Sequence, residues 1–326
     1  MLHAPVVKQE APDYSPSTPL ADGCRQFILR AQNAEGGWPY HPGLETAVEP
    51  TCWALIALRN AGDHAEAVDR GLEALKDCQL PDGAWPARPG HRLGCWTTAL
   101  ASLALFLFEG DCEPLRKGLD WLSDAWPAEG GLWWQMRGWL RPTAALTRQN
   151  SSLRGWSWTP GAASWVEPTA YSLMLLSVVP ESLHPARAAR RRRLGEAMLY
   201  DRMCPGGGWN TGNPLVYGVP GERRVGPTVW ALLALRANAS RAENRRSLDW
   251  LEQAYPQISG PGSLALAHLC LEVHDRPTPG LEDCLGPLLG ANGFLESVLA
   301  AAFSLMALNP EPDRLFASPG RRLSAS

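Results

Sequence analysis

One motif, repeated along the chain, constrains the fold more than any other feature. A helix-like stretch that opens on glycine and closes near glutamine runs into a Gly-x-Trp turn: Gly23 to Gln32 leads to Gly36-Gly37-Trp38, and Gly71 to Gln79 to Gly83-Ala84-Trp85. Weaker copies run from Gly118 to Gly130-Gly131-Leu132-Trp133 and from Gly195 to Gly207-Gly208-Trp209, and Ser247 to Leu251 echoes residues 118 to 122. The copies start 48, 47, 77 and 52 residues apart, so the long interval is a normal repeat carrying about 30 extra residues. Periods of this size mark architectures in which one unit cannot bury its own apolar face and neighbours share a continuous core.

A more apolar segment follows each of the first four copies: Thr51 to Leu58, Cys95 to Leu105, Thr169 to Leu176 and Thr228 to Leu235. Ser263 to His274 and Phe294 to Leu308 are two further candidates. Helices apolar on nearly every side belong in an interior, while partners with charged stripes face water. Gly-Gly-Trp turns and prolines stop one helix and start the next. Inner helices are expected near 50–61, 94–108, 168–178, 227–237, 262–274 and 293–308, outer ones near 19–33, 64–79, 113–124, 185–203, 240–255 and 279–290. The expected fold is therefore all-α, an (α/α)6 toroid or barrel of six inner and six outer helices. One toroid domain is expected over 19–310, with a Trp-rich insert at 126–165, between tails at 1–18 and 311–326.

Composition narrows the function classes. With 30 Lys+Arg against 33 Asp+Glu the net charge is −3, which lacks the cationic excess of a nucleic-acid binder. The N-terminus has no cationic start followed by an apolar stretch, so no signal peptide is expected. No run of 18 apolar residues occurs, so no membrane span is expected. Eight cysteines without CxxC spacing read as reduced thiols of a cytoplasmic protein. The unusual feature is 15 Trp against 6 Phe and 6 Tyr. Each Trp brings a large flat apolar area and one N–H that needs a partner.

The Gly-opened helix, the Gln near its end and the Gly-x-Trp turn, best seen in Gly23 to Trp38 and Gly71 to Trp85, resemble the "QW" repeat of squalene–hopene and oxidosqualene cyclases. The same toroid is known from protein prenyltransferase beta subunits and class II diterpene cyclases. The resemblance covers about 290 residues and specifies fold better than activity. It implies a cavity for a polyisoprenoid or similar apolar substrate and an acid that protonates an alkene. In class II cyclases that acid is the middle Asp of Asp-x-Asp-Asp-Thr-Ala at an inner-helix start. The corresponding registers here are Ala47-Val48-Glu49-Pro50-Thr51 and Trp165-Val166-Glu167-Pro168-Thr169, so Glu49 and Glu167 are the candidate catalytic acids. The neighbouring Asp positions hold Ala or Trp on one side and Pro on the other. A third repeat, Val225-Gly226-Pro227-Thr228, keeps Pro-Thr and drops the Glu, so Pro-Thr is architecture. The glutamates either complement the helix dipole or act as cavity-facing acids. Trp53, Trp96, Trp165, Tyr171 and Trp230 are the candidate substrate-binding residues.

No metal site and no cofactor are expected. A prenyltransferase zinc site needs Asp-x-Cys at a helix start, and neither Cys52 nor Cys95 has an Asp two residues before it. His268-x-Cys270-x3-His274 spreads its side chains, since residues two apart lie about 200° apart on a helix. Asp82, Asp111, Asp120 and Asp124 stand singly rather than in a diphosphate-binding cluster, and no Gly-rich phosphate loop follows a strand, because no convincing strand is present. Seven Trp (126, 133, 134, 139, 156, 158 and 165) fall in the insert and read either as an aromatic lid or wall over the toroid mouth, or as Trp133 and Trp158 stapling repeat turns, like Trp209, with the others plugging the barrel end. The run Arg187, Arg190, Arg191, Arg192, Arg193 reads as a solvated face, with an anionic membrane surface as the minority reading. Arg141, Arg148, Arg154, Arg223 and Arg224 are candidates to neutralise a diphosphate. The leading expectation is a terpene-cyclase-like protein that binds, and cyclises or isomerises, a polyisoprenoid. The alternatives are a non-catalytic lipid-binding or protein-interaction scaffold, or a prenyltransferase-like subunit completed by a partner chain.

Overall fold

The computed structural model describes residues 18–59, 64–130, 149–276, 278–288 and 296–308. Among them twelve α-helices alternate between two layers. The outer layer holds α1 (Pro19–Arg30), α3 (Ala65–Asp77), α5 (Glu113–Asp124), α7 (Ala188–Asp201), α9 (Ala242–Ala254) and α11 (Leu281–Leu285). The inner layer holds α2 (Val48–Leu58), α4 (Thr97–Glu109), α6 (Val166–Val178), α8 (Val225–Ala234), α10 (Pro261–Val273) and α12 (Val298–Ala307). Burial separates the layers: every residue of α2 except Glu49 is buried, whereas α3 buries only Gly71, Leu72 and Leu75.

The inner helices pack in the order α2, α4, α6, α8, α10, α12 and back onto α2, so the ring closes. Backbone hydrogen bonds stitch it at the N-terminal mouth. The amide of Val48 donates to Ala87 O (3.1 Å), Trp96 to Trp158 O (3.2 Å) and Val166 to Thr211 O (3.1 Å). Val298 donates to Tyr40 O at 3.0 Å in the same way, joining the last described inner helix to the first repeat. These links satisfy helix-start N–H groups that have no intrahelical partner.

The repeat residues explain themselves in contacts. The indole N–H of Trp38 donates to Ile28 O (2.8 Å), Trp85 to Leu75 O (2.7 Å) and Trp209 to Leu199 O (2.6 Å), always ten residues back. Each of these tryptophans also donates its backbone N–H to the hydroxyl of Thr51, Thr98 or Thr228 on the adjoining inner helix. The threonine of each Pro-Thr pair is thus a staple partner, as is Thr98 where the second repeat reads Thr-Thr. Gln32 bridges Gly36 O and Ala67 O, and Gln79 bridges Gly83 O and Pro114 O, tying each turn to the next outer helix. Gly71 opens its repeat because a Cβ there would lie 2.5 Å from the Trp38 ring; Gly36, at φ +91°, turns where a Cβ would strike Arg70 O.

Three expectations need correction. Among the described residues the staple of the third repeat is Trp156 rather than Trp158: its indole donates to Leu122 O, 34 residues back instead of ten, and its amide to Thr169. The insertion therefore lies between α5 and its own turn. Second, short extended pairs do occur. β1 (Trp156–Ser157) pairs with β2 (Ser164–Trp165), and β3 (Leu215–Val216) with β4 (Val219–Pro220), both in the longer loops that enter α6 and α8. Third, the arginine run is not wholly solvated. Four consecutive helical positions point four ways at about 100° steps, and Arg191 points inward, fully buried between the rings of Trp126 (4.3 Å) and Trp156 (4.1 Å). Its Nη2 donates to Ala125 O and Gly155 O. Trp133, Trp134, Trp139, Arg141 and Arg148 lie outside the described residues, as do the expected tails apart from Thr18, which caps α1 through Ala21 N–H. No helix among the described residues is long and apolar enough to cross a membrane.

Candidate active site

The staple threonines set a common register for what faces the bore. Two residues before Thr51, Thr98, Thr169 and Thr228 stand Glu49, Trp96, Glu167 and Gly226; two residues after them stand Trp53, Leu100, Tyr171 and Trp230. The two positions in each repeat are four apart, so they share a helix face one turn from each other. The mouth of the toroid thus carries a layer with two carboxyls, and beneath it an aromatic layer.

The aromatic layer fills the bore. Trp53 on α2 stacks on Trp230 of α8, across the ring, at 4.8 Å and 21°. Tyr171 meets both, at 6.0 and 5.2 Å, and Phe303 of α12 meets the two indoles at 5.5 and 5.8 Å. Trp53 is 0% exposed, Trp230 3% and Tyr171 4%. At this level the described rings meet one another across the bore. Trp96, half-buried at the mouth, stacks on Tyr171 at 5.7 Å and meets Trp158 edge-on at 5.0 Å.

Glu49 and Glu167 sit above this floor, both half-buried. The hydroxyl of Tyr40 donates to Glu49 Oε2 at 2.5 Å. Burial is the main reason that the Glu49 carboxyl is pushed up to about 7; the nearby Glu167 charge adds to the rise, while the Tyr40 hydrogen bond and the Trp53 indole oppose it. That indole N–H closes no hydrogen bond of full geometry. Glu167 is also raised by burial, and the Arg224 guanidinium moderates it. Burial and the adjacent glutamate drive the Tyr40 phenol far above its usual range, so it stays a neutral donor. With Oε2 accepting from Tyr40, a protonated Glu49 would carry its acidic hydrogen on Oε1. A carboxyl pushed up to about 7 by burial, with the charge of a second carboxyl adding to the rise, forms an arrangement able to deliver a proton to a weak base.

Of the sequence candidates, the structure brings Glu49, Glu167, Trp53, Trp96, Tyr171 and Trp230 into one neighbourhood. Trp165 stands on β2, across from Trp156, with its ring beside Gly212. Arg223 lies over Trp250 of α9 at 5.2 Å, and Arg154 near Trp126 at 5.6 Å. Sequence reasoning missed Tyr40 and Phe303, and named Trp158 only among the seven tryptophans of the insert. Tyr40 and Trp158 carried a usable signal, each being two residues past a staple tryptophan; Phe303 carried none, because the last repeat has no Pro-Thr register. Among the described residues no group of three or more His, Cys, Asp or Glu could hold a metal ion. His268 Nδ1 lies within reach of Tyr255 and Thr278 hydroxyls, away from the fully buried Cys270.

No family model matches the chain. A drimenyl diphosphate synthase from Streptantibioticus cattleyicolor is 39% identical over 56 residues, which are 17% of this chain and 10% of that protein. The match therefore spans about a tenth of the relative's length. A solved protein from Actinoplanes has a TM-score of 0.58 at 15% identity, over 89% of this chain and 97% of that one. A structure described as a novel alpha-amylase from Clostridium perfringens reaches 0.56 at 11% identity, over 89% and 96%. The type II terpene cyclase MstE from Scytonema is 17% identical over 90% and 97%, with a TM-score of 0.41. At these identities the likenesses to the Actinoplanes and Clostridium perfringens structures are of fold alone, and a fold does not by itself set a chemistry.

Proposed function

We propose that this chain, a divergent toroid of the terpene-cyclase-like kind, binds an apolar olefin such as a polyisoprenoid at its mouth and starts its cyclisation or isomerisation by proton transfer from Glu49. One observation carries the reading: a carboxyl held near 7, beside a second carboxyl and directly above an aromatic floor. The short match to a drimenyl diphosphate synthase supports it.

The geometry suits each step. Transfer breaks the Oε1–H bond, forms a C–H bond at the less substituted alkene carbon and leaves a carbocation at the other. The Tyr40 hydrogen bond strengthens as negative charge grows on Glu49, which favours the transition state over the ground state. Trp96 and Trp158 at the mouth, and Trp53, Tyr171 and Trp230 below, offer π faces to the cation. Attack by a second double bond closes a ring, and loss of a proton back to the Glu49 carboxylate gives a neutral isomer and regenerates the site; if Glu167 takes that proton instead, Glu49 is reprotonated from solvent before the next turnover.

The test is incubation of the purified chain in D2O with farnesol, geranylgeraniol and their diphosphates, followed by mass spectrometry. The expected product is an isomer carrying one added deuterium. Glu49→Gln should lower its formation by about 10²–10⁴-fold and Glu167→Gln by less. Undiminished product from both variants would remove the glutamates from the mechanism. The second reading, a non-catalytic platform, is favoured by the filled bore. It predicts no turnover by the native chain and no isoprenoid co-purifying with it.

A further inference from the structure

A cavity of about 300 Å³ opens beside the carboxyl site, between α4, the C-terminal end of α5 and β1. Four indoles wall it: Trp96, Trp121, Trp126 and Trp156. Nearly all its polar groups already have partners within the protein. Ser172 Oγ donates to Pro168 O, Ser157 Oγ to Thr159 O, and the Cys95 thiol pairs with the Thr97 hydroxyl. The indoles of Trp121 and Trp156 donate to Asp82 and Leu122 O.

Charge narrows the occupant further. The Arg191 guanidinium already lies against the rings of Trp126 and Trp156, and Arg187 pairs with Asp124, the acid at the rim. A cationic ligand would meet those arginines across the indoles. An anionic one would meet π faces and Asp124. A neutral apolar group would lose no hydrogen bond on leaving water and would cover aromatic surface.

We propose that this cavity binds a neutral, flat or branched hydrocarbon group of about ten heavy atoms, the size its volume admits. The site is distinct from the carboxyl pair but shares a wall with it: Trp96 lines the cavity and stacks on Tyr171 of the aromatic floor. Its occupancy does not depend on Glu49 being a catalytic acid.

The experiment titrates p-cymene into the full chain carrying ¹⁵N-labelled tryptophan indoles. 4-Isopropylbenzoate and 4-isopropyl-N,N,N-trimethylanilinium serve as size-matched anion and cation. The indole signals of Trp96, Trp121, Trp126 and Trp156 should move saturably with p-cymene, with a Kd on the order of 0.1 mM. The staple signals of Trp38, Trp85 and Trp209 should stay still. Ala125→Phe and Ser157→Phe, each adding a ring at a lining position, should each weaken binding by roughly tenfold or more while keeping the native helical spectrum. Either folded variant suffices, and Glu49→Gln should still bind. The proposal falls if p-cymene gives no saturable shift, if a charged analogue binds as well, or if both filled variants bind like the native chain. It also falls if binding is lost in Glu49→Gln but kept in Ala125→Phe, which would move the ligand to the carboxyl site.

Discussion

Trp38, Trp85, Trp156 and Trp209 lie between the two helical layers, whereas Trp53, Trp230 and their neighbours Tyr171 and Phe303 lie inside the bore. The first set repeats one chemistry four times: indole N–H to a helix carbonyl, amide N–H to a threonine hydroxyl. In the second set Trp53, Tyr171 and Trp230 occupy equivalent positions without repeating one bonding pattern, and the buried Trp53 indole N–H closes no hydrogen bond of full geometry. A position that must satisfy backbone groups tolerates little change, because a buried unpaired donor or acceptor costs about 1–3 kcal/mol. A position that meets only side chains arriving from across the ring can vary repeat by repeat, and that variation is where two carboxyls and an aromatic floor arise.

The largest effect that would break this contrast is on the staple side. Trp85→Ala should cost about 4 kcal/mol in denaturant unfolding, combining a large void with the lost bonds to Leu75 O and Thr98. A loss under about 1 kcal/mol would show that the turns do not hold the ring.

The carboxyl layer should make stability depend on pH. Folded Glu49 holds its proton up to about 7, while in the unfolded chain it releases it near 4.5. Its contribution is therefore full below about pH 4.5 and is lost as the pH rises through 7; raised Glu167 acts in the same direction. Unfolding free energy should fall by about 2 kcal/mol between pH 5 and 8, and Glu49→Gln should flatten most of that slope. A slope unchanged in the variant would show that Glu49 is not the titrating group.

The smallest effect sharpens the comparison most. Trp→Phe removes the indole N–H and keeps an aromatic ring. Trp53→Phe should cost less than about 1 kcal/mol, and Trp85→Phe about 1–2 kcal/mol more than that, since only Trp85 loses a formed bond and strands a buried carbonyl. Equal costs would mean that the N–H partners do not distinguish the two sets.

Much of the architecture was legible because it is local or periodic. The Gly-opened helices, the Gly-x-Trp turns and the apolar partners appear in the sequence at a fixed spacing, and the expected helices fall on α1 to α12. Where the period was interrupted the reading slipped: the sequence offered Trp133 and Trp158 as the third staple, and among the described residues Trp156 is the one that reaches both Leu122 O and Thr169. Arg191 was misjudged because a charge run gives no sign of which member faces inward, and the sign here is a pair of indoles at positions 126 and 156.

The sequence by itself determined that this chain is a ring of paired helices, with Glu49 and Glu167 at inner-helix starts, because helix periodicity, turn chemistry and capping act within a few residues. Only the tertiary structure decided that Tyr40 binds Glu49, that burial and the Glu167 charge raise the Glu49 carboxyl, and that Trp53 and Trp230 meet across the bore. Those outcomes depend on how far the ring curves before α12 returns to α2, a sum over six packed interfaces that no single stretch of sequence encodes.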